Sequence, residues 1–157
     1  MIHHISISAI NPLGVAQALA KVMKGQIAPF PPHPGSYFVF PGDEHGTAIE
    51  VYPLGSEIAP GAAANEQCMF VHNANSSMFT ATHAAISVPV SQAEIEQVGV
   101  SEGWRVVRCS RESFFDVIEF WLENRLMIEL LTPEMASQYL AFTKTEKLQE
   151  VFATAAN

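Results

Sequence analysis

The chain has 157 residues, 48% hydrophobic and 15% charged, with a net charge of −8 from 8 basic and 16 acidic side chains. That much apolar material serves one or two small cores and speaks against disorder, and the shortage of Lys and Arg speaks against sequence-independent nucleic-acid binding. Two cysteines, Cys68 and Cys109, make no disulfide scaffold and suit a reducing compartment.

The chain opens directly into a strand pattern, Ile2-His3-His4-Ile5-Ser6-Ile7-Ser8, with no cationic segment leading an apolar one. No apolar run approaches the roughly 20 residues of a membrane helix. A cytoplasmic protein without a membrane partner is expected. A helix follows over 12–23, with Asn11 as cap, Pro12 in the first turn and Gly25 closing it. Strands are read at 26–30, 36–40 and 47–52, the last two joined by the turn Pro41-Gly42-Asp43-Glu44-His45-Gly46. Residues 54–80 form a linker that starts as a loop (Gly55, Pro60, Gly61) and holds one possible extra strand at 68–72.

A strand then returns at 83–87 and a helix at 91–102, opened by the capping-box pair Ser91 and Glu94 and closed by Gly103. Strands at 104–109, 114–122 and 125–131 follow, the last two joined tightly through Glu123-Asn124. Beyond Pro133, helical spacing appears at 134–142 and 145–152. The second series repeats the first at an offset of 79: His4-Ile5-Ser6-Ile7-Ser8 matches His83-Ala84-Ala85-Ile86-Ser87, and Ala48-Ile49-Glu50-Val51 matches Met127-Ile128-Glu129-Leu130. The fold class is therefore α+β, with two tandem β-α-β-β-β modules at 1–53 and 81–133, a linker at 54–80 and a helical segment at 134–157.

Strand alternation puts His4, Ser6 and Ser8 on one face and Ile5 and Ile7 on the other. Glu50 shares a face with Ala48 and Tyr52, and Glu129 with Met127 and Leu131. Each module thus sets one His and one Glu opposite its helix-packed side. An ionised carboxylate among apolar strand residues is costly unless it is paired or bound to a cation. Two imidazoles and two carboxylates (His4, Glu50, His83 and Glu129) suit a divalent ion such as Ni, Zn, Co, Mn or Fe. A lone strand His is more often a hydrogen-bonded residue than a ligand. Chance agreement of both positions at one fixed offset, however, is about 0.3%, which favours the four-residue site.

These residues resemble the vicinal oxygen chelate superfamily, which includes glyoxalase I, fosfomycin-resistance proteins, methylmalonyl-CoA epimerase, extradiol dioxygenases and bleomycin-resistance proteins. The segment Asp43-Glu44-His45-Gly46-Thr47-Ala48-Ile49-Glu50 is similar to the family's turn, in which a Gly precedes the metal-binding Glu by four positions. The order His4, Glu50, His83, Glu129 looks like the ligand set of glyoxalase I-type members. The resemblance implies a cupped pair of mixed-sheet half-barrels, a small-molecule substrate and a homodimer. It also implies a metal that holds two neighbouring substrate oxygens and stabilises an enediolate or oxyanion. Glu129 is the expected proton shuttle, with Glu50 its mirror candidate. The chain departs from the pattern in lacking a Leu-Gly helix end, in carrying Asn124-Arg125 in place of an Asp-Pro-x-Gly turn, in a longer linker, and in the loop Phe30-Pro31-Pro32-His33-Pro34-Gly35.

Tyr52, Arg105 and Arg108 are further candidates for holding substrate. Arg105, Arg108 and Arg111 are the one basic cluster, read first as solvated arginines balancing Glu102 and Glu112. Tyr37, Phe38, Phe40, Trp104, Phe120 and Trp121 are read as core, and His33, His45 and His72 as loop residues. Three functions stay open. They are glyoxalase I-like isomerase, lyase or epimerase chemistry, an Fe(II) extradiol-type dioxygenase, and a metal-free small-molecule binding or resistance protein.

Overall fold

The alternating segment at the start of the chain forms strand β1 (His4–Ala9), and the capped segment after it forms helix α1 (Pro12–Met23). The structure, a computed structural model, describes residues 2–63 and 66–143. The chain divides into two units, Met1–Ala81 and Thr82–Asn157.

In the first unit, α1 is followed by β2 (Gln26–Pro29), β3 (Tyr37–Phe40) and β4 (Ala48–Pro53). The sheet order is β1-β4-β3-β2, with β1 parallel to β4 and the other pairs antiparallel. Asn11 caps α1 by accepting from the Gly14 amide at 3.1 Å, and Pro12 sits in the first turn, where no amide is needed. The helix buries Val15, Ala16, Ala18, Leu19 and Val22, and Ile49, Val51 and Val39 of the sheet are equally inaccessible. Small residues on one stripe let the helix lie close to the sheet.

The end of α1 differs from expectation. Lys24, not Gly25, takes the left-handed position, at φ 51°. Gly25 is required for a different reason: a Cβ there would lie 2.8 Å from the Phe40 carbonyl oxygen. The backbone of β3 passes too close for any side chain.

The linker also holds more than expected. Residues read as loop form β5 (Ser56–Ala59), which pairs antiparallel with β6 (Met69–His72) in a separate two-stranded sheet. Its partner lies beyond Pro60 and Gly61, so a local pattern could not reveal the pairing.

The second unit runs β7 (Ala85–Ser87), α2 (Gln92–Glu102), β8 (Val106–Arg111), β9 (Phe115–Leu122), β10 (Leu126–Leu131) and α3 (Pro133–Phe142). Its sheet order is β7-β10-β9-β8, the same topology as the first, with β7 parallel to β10. The capping box at Ser91 and Glu94 is present, and Gly103 is left-handed at φ 72°. A Cβ on Gly99 would lie 2.2 Å from Val106 Cγ2, so α2 sits close on β8 through that residue. Ile95, Ile118, Phe120, Ile128 and Leu130 fill the space beneath α2.

Glu123 and Asn124 both have positive φ, 53° and 54°. That is the tight turn whose twist matches a hairpin. Asn124 also accepts from the Arg105 amide at 2.7 Å and donates to the Gly103 carbonyl at 3.1 Å, so the turn anchors the approach to β8. Thr132 caps α3, whose Tyr139 and Phe142 rings pack on Phe115. The second helical stretch expected at 145–152 lies outside the described residues. Among the described residues no helix is long and apolar enough to cross a membrane.

Candidate functional site

The parallel register of the first unit pairs His4 with Ala48, Ser6 with Glu50 and Ser8 with Tyr52. These residues share the face opposite α1, as alternation predicts. Glu50 is 8% exposed. Its Oε2 accepts from Ser6 Oγ and from Tyr52 OH, both at 2.7 Å. Burial raises the pKa of Tyr52, and the adjacent Glu50 carboxylate adds to the effect. The phenol therefore stays protonated and remains a donor. Both neutral donors address one oxygen, and Oε1 accepts no hydrogen bond among the described residues. His4 lies one pleat from Ser6 on the same face and is exposed. His3 turns away, and its Nδ1 donates to the His45 carbonyl at 2.6 Å.

Aromatic rings flank Glu50 on its strand and the next. Phe38 is its cross-strand neighbour and stacks on Phe30 at 6.0 Å. Tyr52 meets Phe30 at 5.8 Å, His33 at 5.2 Å and Phe70 at 5.3 Å. His33, read from sequence as a loop residue, joins these elements together. It hydrogen-bonds Ser36 Oγ through Nδ1 at 2.9 Å and Ser56 Oγ through Nε2 at 3.3 Å, and its ring meets Phe70 edge-on at 4.5 Å. His33 thus fastens the β5–β6 hairpin against the Tyr52 ring. Sequence spacing carries no sign of this, because Ser56 lies on β5 and Phe70 on β6.

The second unit repeats the placement. Glu129 pairs with Ala85 across β10 and β7, as Glu50 pairs with Ser6, and both residues of the pair are shifted by the repeat offset of 79. His83 lies two residues before Ala85, just outside β7, and is exposed. The cross-strand neighbour of Glu129 is not a ring but a second carboxylate, Glu119. Like charges directly opposite one another destabilise a sheet.

Arg111 answers that charge. Its Nε donates to Glu129 Oε1 at 3.2 Å, its Nη2 donates to the same oxygen, and Nη2 also donates to Glu119 Oε1 at 3.1 Å. Trp121 Nε1 donates to Glu119 Oε2 at 3.2 Å. The Glu129 side chain is 12% exposed, that of Glu119 19% and that of Arg111 34%. The hydrogen bonds that Arg111 donates to Glu129 raise the Arg111 pKa despite partial burial. Burial pushes the Glu119 carboxyl up, but the hydrogen bonds from Arg111 and Trp121 outweigh it and hold the group below its ordinary value of 4.5.

A depressed carboxylate pKa contributes stability above the ordinary value, and this is lost as pH falls through the lowered folded value. Urea midpoints are therefore expected to drop on acidification below 4.5, and Glu119→Gln is expected to flatten that drop. An unchanged acid limb in the variant would remove Glu119 as its source.

The remaining candidates separate by face. Arg108 lies on the α2 side of the sheet, bound to Asp116 Oδ2 at 2.6 and 2.9 Å and to Gln92 Oε1 at 3.1 Å. Arg105 is exposed and fixes the hairpin through its backbone, accepting from the Trp121 amide at 2.9 Å. Cys109 is free, and burial with the neighbouring Glu119 charge raises its pKa, which keeps it an unreactive thiol. Within either unit, no group of three or more described His, Cys, Asp or Glu side chains is placed to hold a metal ion. What each unit offers is one imidazole and one carboxylate with a single uncommitted oxygen. That donor set fits a borderline divalent ion, with the Arg111 guanidinium already seated on Glu129.

No family model and no curated protein matches the sequence. Solved structures do. The fosfomycin resistance protein FosX from Listeria monocytogenes is similar, at TM-score 0.54 and 12% identity, covering 88% of this chain and 94% of that one. A mutant of that protein complexed with Mn(II) and 1S,2S-dihydroxypropylphosphonic acid is similar at TM-score 0.52 and 14% identity, covering 83% and 87%. FosX from Mesorhizobium loti gives TM-score 0.50 and 13% identity, covering 88% and 96%. At these identities the likeness is one of fold.

Proposed function

We propose that this chain, which has the glyoxalase/bleomycin-resistance fold of the vicinal oxygen chelate superfamily, is a divalent-metal-dependent enzyme acting on a small oxygenated metabolite. The proposed ligands are His4 and Glu50 of the first unit and His83 and Glu129 of the second. One observation carries this reading: the two glutamates occupy the same register position of two sheets with the same topology, each on the face turned away from the helix. A structural role alone does not require an acidic residue at both.

The metal, when bound, supplies Lewis acidity toward neighbouring substrate oxygens. Ser6 and Tyr52 hold Glu50 by Oε2, so Oε1 is the oxygen it presents, and it does so with full negative charge because both donors are neutral. Arg111 holds Glu129 by Oε1, leaving Oε2 as the oxygen that would bind the metal and, once released from it, would take a proton from the carbon beside a substrate carbonyl. The chemistry proposed is isomerase, lyase or epimerase in type, in a homodimer.

Metal analysis of protein purified without chelator or immobilised nickel tests this, repeated on His4→Ala and Glu129→Ala. Near-stoichiometric Mn, Ni, Zn, Co or Fe in the parent, lost in both variants with native circular dichroism, is the expected result. No uptake from any of these ions would overturn it. One observation favours a second reading, a metal-free binding protein: a guanidinium already neutralises Glu129. Ligand binding that survives Glu129→Gln would support that alternative.

A further inference from the structure

The two half-sites have the same register but not the same charge. In the first unit Glu50 faces Phe38 and receives two neutral donors. In the second, Glu129 faces Glu119 and receives a guanidinium. A carboxylate held by neutral donors keeps its charge for an incoming ion, whereas one held by Arg has already met a cation. A divalent ion on Oε2 of Glu129 would share that carboxylate with a like charge only a few ångströms away.

The geometry also provides somewhere for the guanidinium to go. Arg111 Nη2 donates to Glu119 Oε1 at 3.1 Å as well as to Glu129. Glu119 lies directly across the β9–β10 pair from Glu129 and is oriented through its other oxygen by Trp121. The fork thus already touches the carboxylate to which it would move.

We infer that Arg111 is the resident cation of Glu129, competing with the metal for that carboxylate, and that Glu119 is the seat to which it moves when the metal binds. This rests on the ligand role proposed for Glu129. Arg111 is then a positioning residue that sets metal affinity, and Glu119 a residue that strengthens metal binding by taking up the displaced guanidinium. The two make opposite predictions, which neither a solvated surface arginine nor a simple packing role would produce.

Mn(II) titration by isothermal calorimetry on the parent, Arg111→Gln, Arg111→Lys and Glu119→Gln tests the inference, with circular dichroism to confirm folding. Arg111→Gln is expected to bind Mn(II) about 10-fold more tightly, and Glu119→Gln about 10-fold more weakly because the guanidinium is confined to Glu129. Arg111→Lys keeps the charge without the fork and is expected to fall between the parent and Arg111→Gln, which preserves the test if Arg111→Gln fails to fold. Lys21→Gln removes a positive charge from the α1 surface and should leave affinity unchanged.

Equal affinity across the series would overturn the inference and leave the metal reading standing. Weaker binding in Arg111→Gln would overturn competition. An unchanged affinity in Glu119→Gln would overturn its role as the alternative seat. Mn(II) bound by Arg111→Gln alone would support competition by Arg111 and overturn both Glu119 as its alternative seat and a metal role in the parent. No binding by any of the proteins would overturn both.

Discussion

Glu50→Gln is expected to lower divalent-metal affinity by more than about 100-fold, beyond the range typical of residues that only support a ligand. The reason lies in the two donors on one oxygen. Ser6 Oγ and Tyr52 OH both point at Oε2, so a glutamine will turn its carbonyl oxygen toward them. Its amide NH2 then occupies the Oε1 side and presents two hydrogens where a metal needs a lone pair. Charge and orientation are lost together. Tyr52→Phe removes one donor and leaves the carboxylate, and is expected to cost about 10-fold. Mn(II) calorimetry on the two variants checks the order, and an unchanged affinity in Glu50→Gln would take Glu50 out of the site.

Phe120→Ala is expected to destabilise the second unit by about 3–5 kcal/mol, the range for emptying an aromatic site in a core. Phe120 is fully buried, pairs with Val106 on one side and Ile128 on the other, and takes the Trp104 ring edge-on at 5.7 Å. Sheet residues on both flanks are fixed by ladder hydrogen bonds, so the cavity cannot collapse cheaply. A domain's whole stability is about 5–15 kcal/mol, so the loss is a large share of it. Urea unfolding followed by intrinsic fluorescence reads the effect through Trp104 and Trp121. Val100→Ala serves as the comparison: Val100 is 82% exposed and should change stability by less than about 0.5 kcal/mol.

The elements easiest to read in sequence were those specified by neighbouring residues. Helix α1 occupies the span marked out by Asn11 and Pro12, and α2 begins at its capping box. The repeat at offset 79 exposed the shared topology and, through alternation, the faces of Glu50 and Glu129. What escaped depends on contacts between residues distant in the chain. Arg111 looked like a surface cation balancing Glu112, yet it spends its donors on Glu129, 18 residues away on another strand. His33 does lie in a loop, but its hold on Ser56 and Phe70 escaped because they belong to a hairpin whose first strand was hidden beside Pro60 and Gly61. Glu119 carried no local mark, since its importance comes from facing Glu129 across a ladder.

In each sheet the strand made first lies beside the strand made last: β1 beside β4, and β7 beside β10. Ser6 and its partner Glu50 are 44 residues apart. During synthesis β2, β3 and β4 can pair as neighbours as they emerge, but β1 has no partner until β4 is complete. At ribosomal rates that interval is on the order of seconds, against microseconds for closing a hairpin. The backbone ladder groups of β1 therefore stay unpaired for most of the time the unit is being built, although α1, made next, can already lie on its Ile5 and Ile7 side. In the nascent chain β1 is the strand whose edge is longest open to chaperones, and the last to be withdrawn from them.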